Sequence, residues 1–202
     1  MSNIKDNASN VNQRIADRVR QLRAAQRLSL DALSGKSGVS RSMISVVERG
    51  ASSPTAVILE RLAAGLGVTM ASLFELTDDA DSTSKGPISR RDDQPEWRDP
   101  ASGYIRRNLS PSDVRQPMQL VEITFPPRAR VPFETAVRDV RIYQQILILE
   151  GVMDVTLGTE CHRLERGDCL AMQLDAPTIF YNPGRKAARY LVVSVIENAS
   201  RR

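Results

Sequence analysis

Up to about residue 76 the apolar positions recur at helical spacing. Ile15, Val19 and Leu22, with Gln26 one turn on and Arg and Gln between them, predict a first helix over 11–26. Ser29 is placed to cap a short second helix carrying Leu30 and Leu33. Gly38 ends it, and Ser40 caps a third helix bearing Met43, Ile44 and Val47. Gly50 supplies a left-handed stop. Pro54-Thr55 opens a fourth helix with Ile58, Leu62, Ala63 and Leu66, closed by Gly67, and Met70 to Phe74 predicts a fifth, one-turn helix. The expectation is a compact all-α five-helix bundle over 11–76.

The stretch 77–100 begins Thr77-Asp78-Asp79-Ala80-Asp81-Ser82 and has little to bury, so it predicts an acidic linker. Beyond it the period drops to two. Leu120–Phe125, Ile142–Leu149, Val152–Leu157, Cys169–Leu174, Thr178–Tyr181 and Tyr190–Ile196 predict strands, with Gly151, Gly158, Gly167-Asp168 and Asn182-Pro183-Gly184 at the turns. Many short strands separated by turns predict an all-β sandwich or barrel over 101–202.

Charge sharpens this division. Residues 1–77 hold 10 Lys+Arg against 6 Asp+Glu (+4), residues 78–100 hold 4 against 7 (−3), and residues 101–202 hold 14 against 11 (+3). A basic first segment suits a polyanion. The apolar runs are far too short to span a membrane, the first residues lack a secretory core, and two cysteines cannot make a disulfide framework, so a cytoplasmic protein is expected. A single histidine, His162, argues against a His-rich metal site; Cys161, His162 and Cys169 match no standard ligand spacing.

A short helix, a glycine turn and a serine-capped helix make the geometry of a helix-turn-helix, whose second helix enters a major groove by a polar leading edge. Ser40-Arg41-Ser42, with Ser45 one turn on, is that edge, and Ser29 and Arg49 flank it. Arginine can grip guanine with two hydrogen bonds, and small hydroxyl side chains let the backbone approach phosphate. The same residues also fit a bundle whose serines and arginines are merely solvated. Ile15 to Arg23, Leu28-Ser29-Leu30, Gly38 to Ser45, Glu48-Arg49-Gly50 and Pro54-Thr55 closely resemble the phage-repressor-like (XRE) helix-turn-helix over residues 13–75. The resemblance implies sequence-specific DNA binding and a scaffold ion pair between Arg23 and Glu48. It also marks a departure, since a glutamine that often touches DNA at the start of the second helix is Leu30 here.

Two further blocks, Tyr143 to Gly151 and Leu164 to Cys169 continuing through Asp175 to Gly184, resemble a cupin barrel over residues 118–197. Enzymatic cupins hold a metal with histidines and a glutamate. Here Gln144 and Thr178 stand in the corresponding slots, and Val137-Arg138-Asp139-Val140 supplies no histidine. The resemblance therefore implies a sensor barrel without metal or other cofactor and without catalytic residues. Gln144 and Thr178 are expected to hydrogen-bond a small polar effector, and Arg138 or Arg141 to pair with a carboxylate at the mouth. For either arginine taken singly, a solvated surface charge is the plainer reading. The combination resembles a class of bacterial transcription regulators in which the cupin senses a small metabolite. The expected mechanism is a homodimer on a pseudo-palindromic operator, with the barrel as dimerisation element because the helical segment shows no long heptad seam. Two alternatives stay open: a metal-dependent cupin enzyme tethered to DNA, and a constitutive DNA-binding protein whose barrel only dimerises. If 77–100 is a linker, the two domains should also melt independently.

Overall fold

The computed structural model describes residues 3–75, 86–111, 117–134 and 140–197 of the 202-residue chain. The first part contains four α-helices: α1 (Asn3–Ala25), α2 (Leu30–Ser37), α3 (Arg41–Glu48) and α4 (Ala56–Gly65). The expected fifth helix is instead a 3-10 turn at Met70–Phe74, so the bundle has four α-helices among the described residues rather than five. Five residues are too few to sustain an α-helix, and the tighter turn, capped by the Thr69 hydroxyl on the Ser72 N–H, suits a closing segment. The serine caps form as the pattern predicts: Ser29 Oγ accepts from the Ala32 N–H at 3.0 Å and Ser40 Oγ from the Met43 N–H at 3.3 Å. Between α2 and α3, Gly38 sits at φ +66°, a left-handed conformation that costs glycine least.

The second part is all antiparallel. Its strands are β1 (Glu96–Arg98), β2 (Ile105–Asn108), β3 (Met118–Phe125), β4 (Arg130–Phe133), β5 (Arg141–Glu150), β6 (Met153–Leu157), β7 (Glu160–Leu164), β8 (Cys169–Gln173), β9 (Thr178–Tyr181) and β10 (Ala188–Glu197). They form a sheet ordered β1-β2-β3-β10-β5-β8 and another ordered β4-β9-β6-β7. β3 pairs with β10, β4 with β9, β5 with β8 and β6 with β7. This nested pairing is the double-stranded wind of an eight-stranded jelly roll, the architecture of cupins. At the hairpin after β5, Gly151 has φ +80° and its Cα lies so close to Ala188 that a Cβ would come within 3.0 Å of the Ala188 Cα.

The two parts share one apolar core. Phe74 of the 3-10 turn meets Trp97 edge-on at 5.9 Å, and the ring contacts continue through Tyr104, Phe125, Tyr190 and Phe180 to Phe133. Polar groups reinforce the seam. Asp99 accepts from the Ala56 N–H at 3.0 Å, placing a carboxylate at the N-terminus of α4, where the helix dipole favours it. The Gln119 amide donates to Ser72 Oγ at 2.9 Å, and Arg61 on α4 pairs with Glu134 after β4. Thus within the stretch expected to be a linker, Glu96–Arg98 is a strand and both Trp97 and Asp99 are buried.

Candidate functional site

Two surfaces carry candidate chemistry, one at the leading edge of α3 and one inside the barrel. On α3, Ile44 and Val47 are buried in the bundle, while Arg41 and Ser42 are exposed and Ser45 is half-buried. Ser40 and Ser29 spend their hydroxyls capping α3 and α2, so they orient these helices, and Ser40 Oγ also lies 3.2 Å from Ser42 Oγ. Arg49 donates to Ser45 Oγ at 2.8 Å and is itself exposed. Arg41 lies 3.7 Å from Asp31 of α2, with both side chains about 70% solvent-exposed (67% and 72%). Such an exposed pair holds on the order of 1 kcal/mol or less, so Arg41 can leave it for a base at little cost. Leu30 packs against the core at the position where the family often has a polar DNA contact.

Arg23 and Glu48 form the paired fork that the resemblance implies. Arg23 Nε donates to Glu48 Oε1 at 2.6 Å, Nη2 to Oε2 at 2.8 Å, and Nη1 to the Leu28 carbonyl at 2.9 Å. The hydrogen bonds and charge of Glu48 raise the Arg23 pKa against the opposing effect of burial, so the guanidinium stays charged. Both side chains face the bundle and lock α1 to the end of α3.

Within the barrel a cavity of about 80 Å³ opens toward the helical part. Inward-facing positions of the larger sheet supply Arg106, Gln144, Tyr190 and Ser194, Tyr104 stands just before β2, and β9 supplies Thr178. The other wall is not barrel at all. Glu60 of α4 and Thr69, Met70 and Ala71 line it, so the cavity lies on the seam between the two parts. Gln144 and Thr178, both expected here, are brought to the same cavity. The Gln144 amide donates to Ser194 Oγ at 3.1 Å, its register partner on β10, and the Thr178 hydroxyl donates to the Ala176 carbonyl at 3.2 Å.

The expected arginines stand elsewhere. Arg141 is exposed at the start of β5, 3.8 Å from Glu197, and does not line the cavity; Arg138 lies outside the described residues. The arginine that does line the cavity is Arg106 on β2, which the sequence reading passed over. It is only 8% exposed, its carbon Cζ sits 5.5 Å from the Phe74 ring centre, and its Nε has no hydrogen-bond partner. Burial lowers its pKa, partly offset by nearby Tyr104, Glu60 and Tyr190. Burial also raises the pKa of the Tyr104 and Tyr190 hydroxyls, which therefore remain protonated and able to donate.

The cavity's polar lining holds Gln144, Ser194 and Thr178 together with the carboxylates of Glu60 and Glu134, and among the described residues no three His, Cys, Asp or Glu side chains come together as a metal site. Cys161 and Cys169 are both free and exposed, and His162 lies on β7, 3.8 Å from Glu160. No helix among the described residues is long and apolar enough to cross a membrane.

Comparison with known proteins agrees with the helical part. The HTH_3 helix-turn-helix family model matches residues 19–73. The chain carries a helix-turn-helix domain of the HTH_3 kind. Its relatives include the HTH-type transcriptional regulator SutR of Escherichia coli (strain K12), 22% identical over 172 residues, which span 85% of this chain and 89% of that protein. The crystal structure of an HTH_3 family transcriptional regulator from Vibrio cholerae has the same fold. It superposes with a TM-score of 0.73 at 24% identity, covering 93% of this chain and 98% of that one. The cupin domain of an XRE family transcriptional regulator from Enterobacter cloacae aligns with 46% of this chain and 95% of that chain, at 13% identity and a TM-score of 0.41.

Proposed function

We propose that this XRE-type protein is a transcription regulator that binds a pseudo-palindromic operator as a homodimer and responds to a small polar effector held in its barrel without a metal. The observation that carries the reading is the position of the cavity. One wall belongs to the barrel and the other to α4 and the 3-10 turn of the DNA-binding domain, which pack on α2 and α1, the two helices that hold α3. An effector that binds one arrangement of the seam better than another shifts the population competent for DNA. The cavity combines hydrogen-bonding and charged groups with an apolar wall, as a small-molecule binding site does.

Gel-shift titration against a footprinted operator tests the DNA half. Arg41→Ala is expected to cost about 1–3 kcal/mol of specific affinity and to relax preference at one base pair in each half-site, while wild-type affinity falls steeply with salt. Unchanged affinity and preference would remove Arg41 from the readers.

The homodimer is expected to use the outer face of the larger sheet. There Met118, Tyr143 and Leu147 are 50%, 41% and 37% exposed, and Met118 and Tyr143 flank Val195 in register. Large apolar side chains clustered on a strand surface mark an interface more often than a free surface. Light scattering should give twice the chain mass for the wild type and the single-chain mass for Leu147→Glu. A monomeric wild type would sink the two-half-site operator.

A further inference from the structure

Within the fold the buried guanidinium of Arg106 meets the Phe74 ring and the charge of Glu60, and these do not satisfy all of its donors. It is 8% exposed, among aromatic rings, and its Nε has no hydrogen-bond partner. Neighbouring arginines that serve the scaffold look different: Arg23 grips Glu48, and Arg107, the next residue on the same strand, pairs with Glu96. An arginine held out of water with an unpaired donor is a cost to the fold. Such a cost is typical of a binding group waiting for its partner.

We infer that the effector is a small organic carboxylate, anchored by Arg106 at the seam between the DNA-binding domain and the barrel. This inference rests on the effector-sensing reading above and names the chemistry it requires. The guanidinium fork matches a carboxylate with two parallel hydrogen bonds. The protonated Tyr104 and Tyr190 hydroxyls beside it can donate to the same anion. Ile123, Phe125, Phe180 and Val192 make the surrounding wall apolar, which favours an organic tail over a bare inorganic oxyanion. Gln144 and Thr178 add polar groups for a hydroxyl or carbonyl on that tail. A cavity of about 80 Å³ suits a small ligand. Because Arg106 also lies over Phe74 of the DNA-binding domain, pairing it with an anion changes a contact that both domains share.

The test is thermal melting of the full-length protein with 20 mM sodium propionate, lactate or 2-hydroxybutyrate, each matched to its neutral amide at constant ionic strength. Sodium sulfate serves as the inorganic control. At least one acid should raise the wild-type Tm by about 3 °C, the size expected for a ligand near tenfold its Kd, and its amide should not. In Arg106→Met the shift should vanish. The unliganded Tm of that variant should stay close to the wild-type value, because relieving a buried, incompletely paired charge offsets the loss of its contacts with Phe74 and Glu60. Arg106→Lys, which keeps the charge without the fork, should keep less than half of the shift, and it replaces the methionine variant if that one does not fold. A lower unliganded Tm in both variants would make Arg106 a structural residue and overturn the inference. Equal shifts from acids and amides, in wild type and Arg106→Met alike, would leave an effector cavity but remove the anion anchor. A shift from sulfate equal to that from the acids would overturn the organic class, and no shift from any acid would overturn the carboxylate altogether. The gel shift, run on the same preparations, judges the regulator reading separately.

Discussion

Glu48→Ala is expected to lower the melting temperature by roughly 6–12 °C, the equivalent of about 3 kcal/mol in a chain of this size. The carboxylate accepts both arms of the Arg23 fork, at 2.6 and 2.8 Å, and the Glu48 side chain is 9% exposed against 19% for Arg23. Removing it leaves Arg23 charged with only the Leu28 carbonyl for company. The loss is set at the low end of what a broken buried pair costs, because water reaches part of the guanidinium. Glu48→Gln keeps the shape and one acceptor, and should lose about half as much. Arg20 also donates to the Glu48 backbone carbonyl, a contact that either substitution spares. Melting by circular dichroism reads the stability. DNA titration well below the midpoint separates scaffold from reader, since the folded variant should keep near-normal affinity. A variant that melts like wild type and fails to bind DNA would show that Glu48 acts on the operator instead.

The Glu48 substitution bears on the barrel too. An acidic linker would let the helical domain melt early and alone. The structure instead ties the parts together through Phe74 against Trp97, Asp99 on the N-terminus of α4, Gln119 on Ser72, and Arg61 with Glu134. Loss of the helical domain strips one wall from the cavity and uncovers Trp97. The melting curve of Glu48→Ala should therefore carry a loss of tryptophan burial along with the loss of helix.

The elements with strong local signals were readable from the chain. Ser29, Ser40 and Thr55 cap helices because their short hydroxyl side chains reach the free N–H groups of the first turn, and Gly38 and Gly50 turn left-handed where the helices end. The six strands with clean alternation, such as Tyr190 to Ile196, are all present. The four missed strands each lacked that signal. β1 is three residues with one inward side chain, β4 contains Pro132, and β7 is a polar edge strand. β2 reads Ile-Arg-Arg-Asn, and its inward position is the charged one. That last case is also why Arg106 was overlooked: alternation rules assign the buried side of a strand to apolar residues, and a buried arginine breaks that rule. A fainter trace did exist. Ser194 interrupts the inward series Ala188, Tyr190, Val192 at the position opposite Gln144, so two polar residues face each other inside an apolar barrel. The cavity wall formed by Glu60 and Thr69 to Ala71 was not readable at all, because it depends on how two distant segments dock.

Trp97→Ala is expected to have the largest effect of any single substitution at the seam, about 3–5 kcal/mol of stability. The ring is 4% exposed and wedged edge-on between Phe74 at 5.9 Å and Tyr104 at 5.8 Å, so truncation opens a void between the domains. Its neighbours are held from both sides and cannot collapse into the gap without moving β2, which pairs Arg106 with Trp97 in register. The indole N–H has no hydrogen-bond partner, so Trp97→Phe loses no polar contact, keeps most of the apolar area, and should cost far less. The two substitutions together separate ring volume from polarity. In scanning calorimetry the wild type should unfold in one transition, and Trp97→Ala in two, because each domain retains its own buried side chains once the shared ring is gone. At temperatures where both domains remain folded, DNA binding by the unliganded variant should persist through α3, while any effect of cavity ligands on that binding should be lost. A single, merely displaced transition with the ligand effect intact would mean that the domains are coupled elsewhere, through Asp99 on α4 or the Arg61–Glu134 pair, and that the aromatic run is packing alone.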